Sequence, residues 1–273
     1  MLKPVQGLIG AVALTLGVAQ PAWATVQIVP PSNNVAGQSQ LYWAQAWWQW
    51  VLGIPTPNNP LLDTTGADAG VNNNGPLFFL AGNFGGVSVR TIDVPDGKPV
   101  FFPVINSFFV PINSDGTFNS APCPTPLTLS CAIQAASFTQ VSGMAVSIDG
   151  VSLDNAQIEQ HRQTSTSYFS VDLPGTTVPP DNVLGVTGPI VPGANTWTQD
   201  GFYITLDDLS VGTHVLRFEG EGVSLAGGPI SLDVTDTLVV VPETSTWAMM
   251  AVGFAGLVVA GYRASRKSAP IAA

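Results

Sequence analysis

Positive charge is scarce in this chain: eight lysines and arginines stand against 18 aspartates and glutamates, a formal net charge of −10. Between Thr25 and Val240 the only basic residues are Arg90, Lys98, Arg162 and Arg217. Nucleic acid is excluded as a partner, because neutralising phosphates takes clustered Lys and Arg. The same deficit argues against docking on an anionic lipid surface, and it suits solubility and divalent cations. Cysteine is scarcer still, limited to Cys123 and Cys131 in "CPTPLTLSC". In an oxidising compartment two such neighbours most simply form a disulfide. A bridge this short constrains a loop and does not frame a domain.

Catalytic signatures are also missing. There is no G-x-S-x-G elbow, no H-E-x-x-H, no C-x-x-C pair and no phosphate-binding glycine loop, so no catalytic residue is assigned and the chain is not read as an enzyme. The histidines number two. His161 sits in the polar "IEQHRQTSTS" near Ser165 and Ser167, and His214 alternates with Leu216 and Phe218 as on a strand. Neither spacing by itself builds a nucleophile–base pair. Glu219 and Glu221 in "RFEGEG" share one strand face about 6.5–7 Å apart, within the separation of glycosidase carboxyl pairs. Solvated glutamates at a strand end are the plainer reading. No cofactor is expected. Calcium is the cation that Asp207-Asp208 and "NSDG" (Asn113 to Gly116) would suit, but neither matches the twelve-residue calcium loop, and turn-forming aspartates explain both.

What is present begins at the ends. Lys3, the apolar run Leu8 to Ala19 and the small-x-small triplet Ala22-Trp23-Ala24 make the three parts of a secretory signal, residues 1–24, cleaved after Ala24. Residues 25–240 then form the extracellular domain. Residues 241–273 carry a second apolar run, Thr246 to Tyr262, 17 residues long, or about 25 Å as a helix. Arg263, Arg266 and Lys267 follow it and stay cytoplasmic by the positive-inside rule, so the domain before it faces out.

Within the domain, "SQLYWAQAWWQWVLGIP" is the one strong helical stretch. Ser39 is its N-cap and Pro55 and Pro57 end it, while Trp43, Trp47, Trp50 and Val51 share a face. Trp48 falls off that stripe and is the candidate for exposure and ligand contact. After the helix the period becomes two. "VSVRTIDV", "PVFFPVI", "MAVSIDG", "SYFSVDL", "FYITL", "THVLRFE" and "ISLDVTDTLVVV" read as strands, with Asp96-Gly97 and Asp149-Gly150 at turns. In the last strand Ile230, Leu232, Val234 and Leu238 face one way and Ser231, Asp233, Thr235 and Thr237 the other. The expected fold is mainly β: an antiparallel β-sandwich, of which a jelly roll is one form, with the Trp-rich helix packed on it. Two long polar loops, residues 59–76 and 173–201, are either functional or loosely ordered, and their composition suits a sugar or calcium.

The C-terminal stretch Val241-Pro242-Glu243, the apolar run from Trp247 to Tyr262 and the basic cluster resemble a PEP-CTERM sorting signal, with Thr244 where that family usually has proline. The resemblance implies a Gram-negative host and export through its inner membrane. It also implies recognition of Val241, Pro242 and Glu243 by an exosortase, an integral-membrane cysteine transpeptidase that cuts near them. Proteins of this kind accompany exopolysaccharide and biofilm formation. The domain itself is similar to a widespread family of secreted bacterial proteins without an assigned activity. That likeness is carried by "YWAQAWWQWVLGIPTPNNPLLDTTG", "GPLFFLAGNFGG", "RTIDVPDGKPVFFPVIN", "DNVLG" and "DGFYITLDDLSVGTHVLRFEG". It implies cysteines near the Thr-Gly turn and in the strand before "VPDGK", where this chain has Ala67 to Ala69 and Ile92. The reading that results is a cell-surface or extracellular-matrix protein with a structural or polysaccharide-associated binding role. The alternatives are a secreted glycan-acting hydrolase using Glu219 and Glu221, or a permanently membrane-anchored surface protein.

Overall fold

The computed structural model describes residues 26–242. The secretory signal, Glu243, the apolar segment 246–262 and the basic cluster Arg263, Arg266 and Lys267 lie outside the described residues. Among the described residues no helix is long and apolar enough to cross a membrane.

The chain is mainly β, in two sheets with few helices. Sheet one joins β1 (Gln27–Ile28), β8 (Thr198–Asp207), β4 (Val100–Phe109) and β2 (Phe78–Phe79) in that order, with β7 (Arg162–Thr164) also on β8. Sheet two runs β3 (Gly86–Pro95), β10 (Gly228–Val241), β9 (Gly212–Ser224), β5 (Phe138–Ile148) and β6 (Val151–Leu153). Their facing sides share one apolar core, which includes Phe102 and Ile204 from sheet one and Leu216, Phe218, Val234 and Leu238 from sheet two. This is the arrangement of a sandwich. The pairing corrects the antiparallel expectation, because β10 runs parallel to β3, and β2 parallel to β4. Asp96-Gly97 therefore does not close a hairpin. It carries the chain from β3 in one sheet to β4 in the other. Asp149-Gly150 does close one, between β5 and β6, with φ of +48° and +85° as the tight two-residue turn requires.

Burial follows the sequence periods. In β10 Leu232, Val234, Leu238 and Val240 are buried, and the residues between them face outward except Asp236. Strands β4 and β8 are buried on both sides, which is why "PVFFPVI" and "FYITL" read as continuous apolar runs. The second side of sheet one is covered by α1 (Gln40–Leu52), capped by the Ser39 hydroxyl, which accepts from the Tyr42 N–H at 3.2 Å. "SYFSVDL" is a correction: it contributes only an isolated bridge, Phe169 to Trp197, as it covers the same side of the sheet. Two further helices are short, α2 (Leu129–Ala136) and α3 (Asn155–Glu159).

The long loop 59–76 is tied down by amides. Asn59 donates to the Val51 and Ile54 carbonyls, which end α1, and accepts from the Leu61 N–H. Asn73 holds Phe79 by both its backbone N–H and its carbonyl. Asp63 accepts from the Thr65 and Asp68 N–H groups. Partial burial raises its pKa, and these hydrogen bonds outweigh that, so the net shift is downward. Gly66 sits at φ +96° with Thr91 O only 2.1 Å from where a Cβ would stand, so the turn presses directly on β3. Ala69 and Ile92 both join the sandwich core there; packing holds the loop to the strand at the place where the family likeness implies cysteines.

Candidate functional site

A cavity of about 600 Å³ opens where β4 outruns its neighbour. β2 covers only Val100 and Phe101. Beyond them the outer edge of β4, Ile105 to Phe109, has no strand beside it among the described residues. Pro103 marks the reason for the local geometry: the register of β4 on β8 shifts between Pro103 and Ile105, as proline in a strand interior demands. Val104 and Ile105 consequently both face the sandwich core. Past the shift, Ser107 turns toward sheet two and bonds the Ser224 hydroxyl at 2.8 Å. Asn106 turns the other way, donating a long hydrogen bond of 3.4 Å to the Tyr203 hydroxyl.

Around this edge the cleft is walled on one side by Trp47 and Trp48 of α1. The β9–β10 turn, Leu225 to Gly227, with Gly228 and Pro229 at the start of β10, forms the opposite wall, and Asn83-Phe84 and Ala121-Pro122 complete the lining. Phe84 is 53% exposed and Leu225 is 54% exposed, so both stand at the mouth. None of the lining residues is ionisable.

Trp48 corrects the expectation of an exposed ring. It is 5% exposed and meets Phe108 edge-on, with ring centroids 4.9 Å apart. The buried arc of α1 is Gln40, Trp43, Ala44, Trp47, Trp48, Val51 and Leu52, wider than the stripe read from spacing, because loops as well as the sheet cover this helix. Trp50 instead lies at the margin, half-buried, donating to the Val71 carbonyl at 2.9 Å. The Trp48 Nε1–H is buried with no acceptor at hydrogen-bonding geometry. It lies beside the Tyr203 hydroxyl, which donates to Gln199 at 2.7 Å. Burial pushes the Tyr203 phenol far up, so it remains a neutral donor behind the cleft wall.

The disulfide between Cys123 and Cys131 forms, with Cα atoms 5.8 Å apart. It joins the Ala121-Pro122 end of the cleft to α2. The opposite wall hangs on the same helix, through Ala226 N–H to Ala135 O at 3.0 Å, and Thr198 fixes the helix to β8 by donating to Ala132 O at 2.8 Å. The bridge is thus a clasp on the cleft as well as a loop closure. Replacing both cysteines by alanine is expected to cost about 2–3 kcal/mol of stability for so short a loop. Urea denaturation checks this, and failure to fold at all would contradict a local role.

The other residues singled out by sequence lie elsewhere. Glu219 and Glu221 do share the outward face of β9. Arg217 binds Glu219 at 2.5 Å and Asp233 at 2.8 Å, and Glu221 borders a separate shallow groove with Gln140 and Ser142. His161 is buried, and burial lowers its pKa. His214 has both ring nitrogens occupied, by Asp149 at 2.5 Å and by the Ser210 carbonyl at 2.8 Å. Neither histidine lines the cleft. Asp115 of "NSDG" accepts from the Thr117 hydroxyl and N–H; these bonds, the hydroxyl's first, lower its pKa. Asp207 accepts from the Asp208 N–H. Both are turn formers, and no cluster of three or more metal-ligating side chains occurs among the described residues. Val241 ends β10, its carbonyl accepting from the Asp96 N–H at 2.8 Å, and Pro242 is the last described residue.

The cleft and the first and last strands' outer ends, Gln27 and Val241, occupy opposite poles. The cleft lies at the first residues of β10, and the chain leaves at its fourteenth, roughly 40 Å away along a strand. Gln27 pairs with Asp207 beside Val100, also at the far pole. No protein-family model, curated protein or solved structure matches this chain.

Proposed function

We propose that this is an exported cell-surface or matrix protein, sorted through its C-terminal segment by an exosortase, that binds polysaccharide through the cleft at its distal pole. The observation that carries the reading is the cleft: aromatic rings, amides and hydroxyls without charge, the composition of small-molecule sites that read neutral polar ligands. Its position supports the sorting half. A domain held or handed over at Val241 would present the opposite pole, and the cleft with it, to the surroundings. In this reading the segment 246–262 holds the chain in the inner membrane until Val241-Pro242-Glu243 is read, and Arg263, Arg266 and Lys267 keep its end cytoplasmic. The hydrolase alternative gains no support from Glu219, which is ion-paired with Arg217 on an open sheet face.

Mass spectrometry of the protein recovered from its native host tests the sorting half. The expected mature chain begins at Thr25 and ends near Pro242 or Glu243. A chain still ending in "SAPIAA" means a permanent anchor and rejects sorting.

A further inference from the structure

We infer that the cleft takes a neutral glycan end of one or two sugar units and discriminates against anionic glycans. The inference rests on the binding reading above and narrows it. A cavity of about 600 Å³ falls in the range of sites that enclose small organic ligands. Phe84, half out of the protein at the mouth, offers a flat apolar face of the kind that stacks on the C–H side of a sugar ring. Asn106, half-buried, donates one amide hydrogen to Tyr203, and among the described residues no donor hydrogen-bonds its Oδ1. That oxygen accepts from a ligand hydroxyl. Ser107 donates to the Ser224 hydroxyl, which also accepts from the Gly227 N–H, so both serines are engaged with the protein and the amide is the discriminating group. With no ionisable side chain in the lining and a chain of net charge −10, a carboxylate entering the cleft would lose water and gain no partner.

The free edge of β4 raises strand addition by an extended peptide as the rival occupant. The shift at Pro103/Ile105 disfavours it, since such bulges twist and blunt an edge.

Trp47 and Trp48 in the wall give the readout, tryptophan emission on titration of the full mature domain. The probes are cellotetraose, maltotetraose, chitotetraose, tetragalacturonate and a neutral heptapeptide of alternating valine and threonine. At least one neutral tetrasaccharide is expected to bind, with tetragalacturonate at least about tenfold weaker. Phe84→Ala is expected to weaken binding roughly 5–10-fold and Asn106→Ala about tenfold, each with unchanged near-ultraviolet circular dichroism. Glycan binding unaffected by either variant overturns the cleft as the site and leaves only polysaccharide binding elsewhere on the protein. Preference for tetragalacturonate overturns the charge rule. Binding of the peptide alone overturns the glycan class, and no binding of any probe overturns both the site and the reading it rests on.

Discussion

Asp236→Ala is expected to destabilise the domain by about 3–5 kcal/mol in urea denaturation, the largest single-residue effect outside the aromatic core. Asp236 is fully buried and faces Arg90 across the parallel β3–β10 register, with Arg90 Nε and Nη2 each 2.8 Å from a carboxylate oxygen. Arg90 also donates to the Ala81 carbonyl at 2.6 Å and to Gly82 at 3.4 Å. Removing the carboxylate leaves a guanidinium in the core with only part of its hydrogen bonding. The attraction within the pair nevertheless works against a desolvation cost. Burial raises the Asp236 pKa despite the opposing pull of Arg90, so its charged form is held at a cost. The double variant Arg90→Met/Asp236→Leu is therefore expected to recover most of the loss. Recovery of stability should not restore ligand affinity, because Ala81 and Gly82 lead directly into Asn83-Phe84 at the cleft. A double variant as unstable as Asp236→Ala would show that the pair, and not the unpaired charge, matters.

Trp47→Ala is expected to cost about 3–5 kcal/mol as well. The ring is 1% exposed, and its Nε1–H donates to the Leu80 carbonyl at 2.8 Å, tying α1 to the residue after β2. It also meets Trp48 edge-on at a centroid distance of 4.9 Å and Trp50 at 6.3 Å. Truncation opens a cavity, orphans a buried carbonyl and removes the support of Trp48, so stability and the cleft wall should fail together. A loss below about 1 kcal/mol, the range of tolerated surface changes, would contradict the packing described.

Much of the fold was legible because local chemistry and tertiary environment agree. The alternation in β10, the Ser39 cap, the Asp149-Gly150 turn and the Cys123–Cys131 bridge each need only neighbours in sequence. Pairing partners do not follow from period, so the parallel β3–β10 contact and the Asp96-Gly97 crossover were out of reach. Asp236 looked like any residue of a strand until Arg90, 146 positions away, met it. The burial of Trp48 does not follow from spacing, which tells which residues share a face of a helix, not how much of the helix is covered. The cleft left two traces in the sequence: Pro103 inside a strand pattern, a sign of a bulge, and Phe84 between Asn83 and Gly85, an aromatic ring in a turn. Neither indicates that Phe84 and the strand past Pro103 meet at one cavity, since the chain between them crosses from one sheet to the other.

The uncharged cleft at the pole opposite Val241 is the proposed glycan site. Its most direct test is a crystal of the mature domain soaked with whichever neutral tetrasaccharide shifts tryptophan emission most. The predicted result is a terminal sugar ring stacked on Phe84 with a hydroxyl at the Asn106 Oδ1. An ordered sugar seated instead beside Glu221, or an empty cleft at saturating ligand, would contradict it.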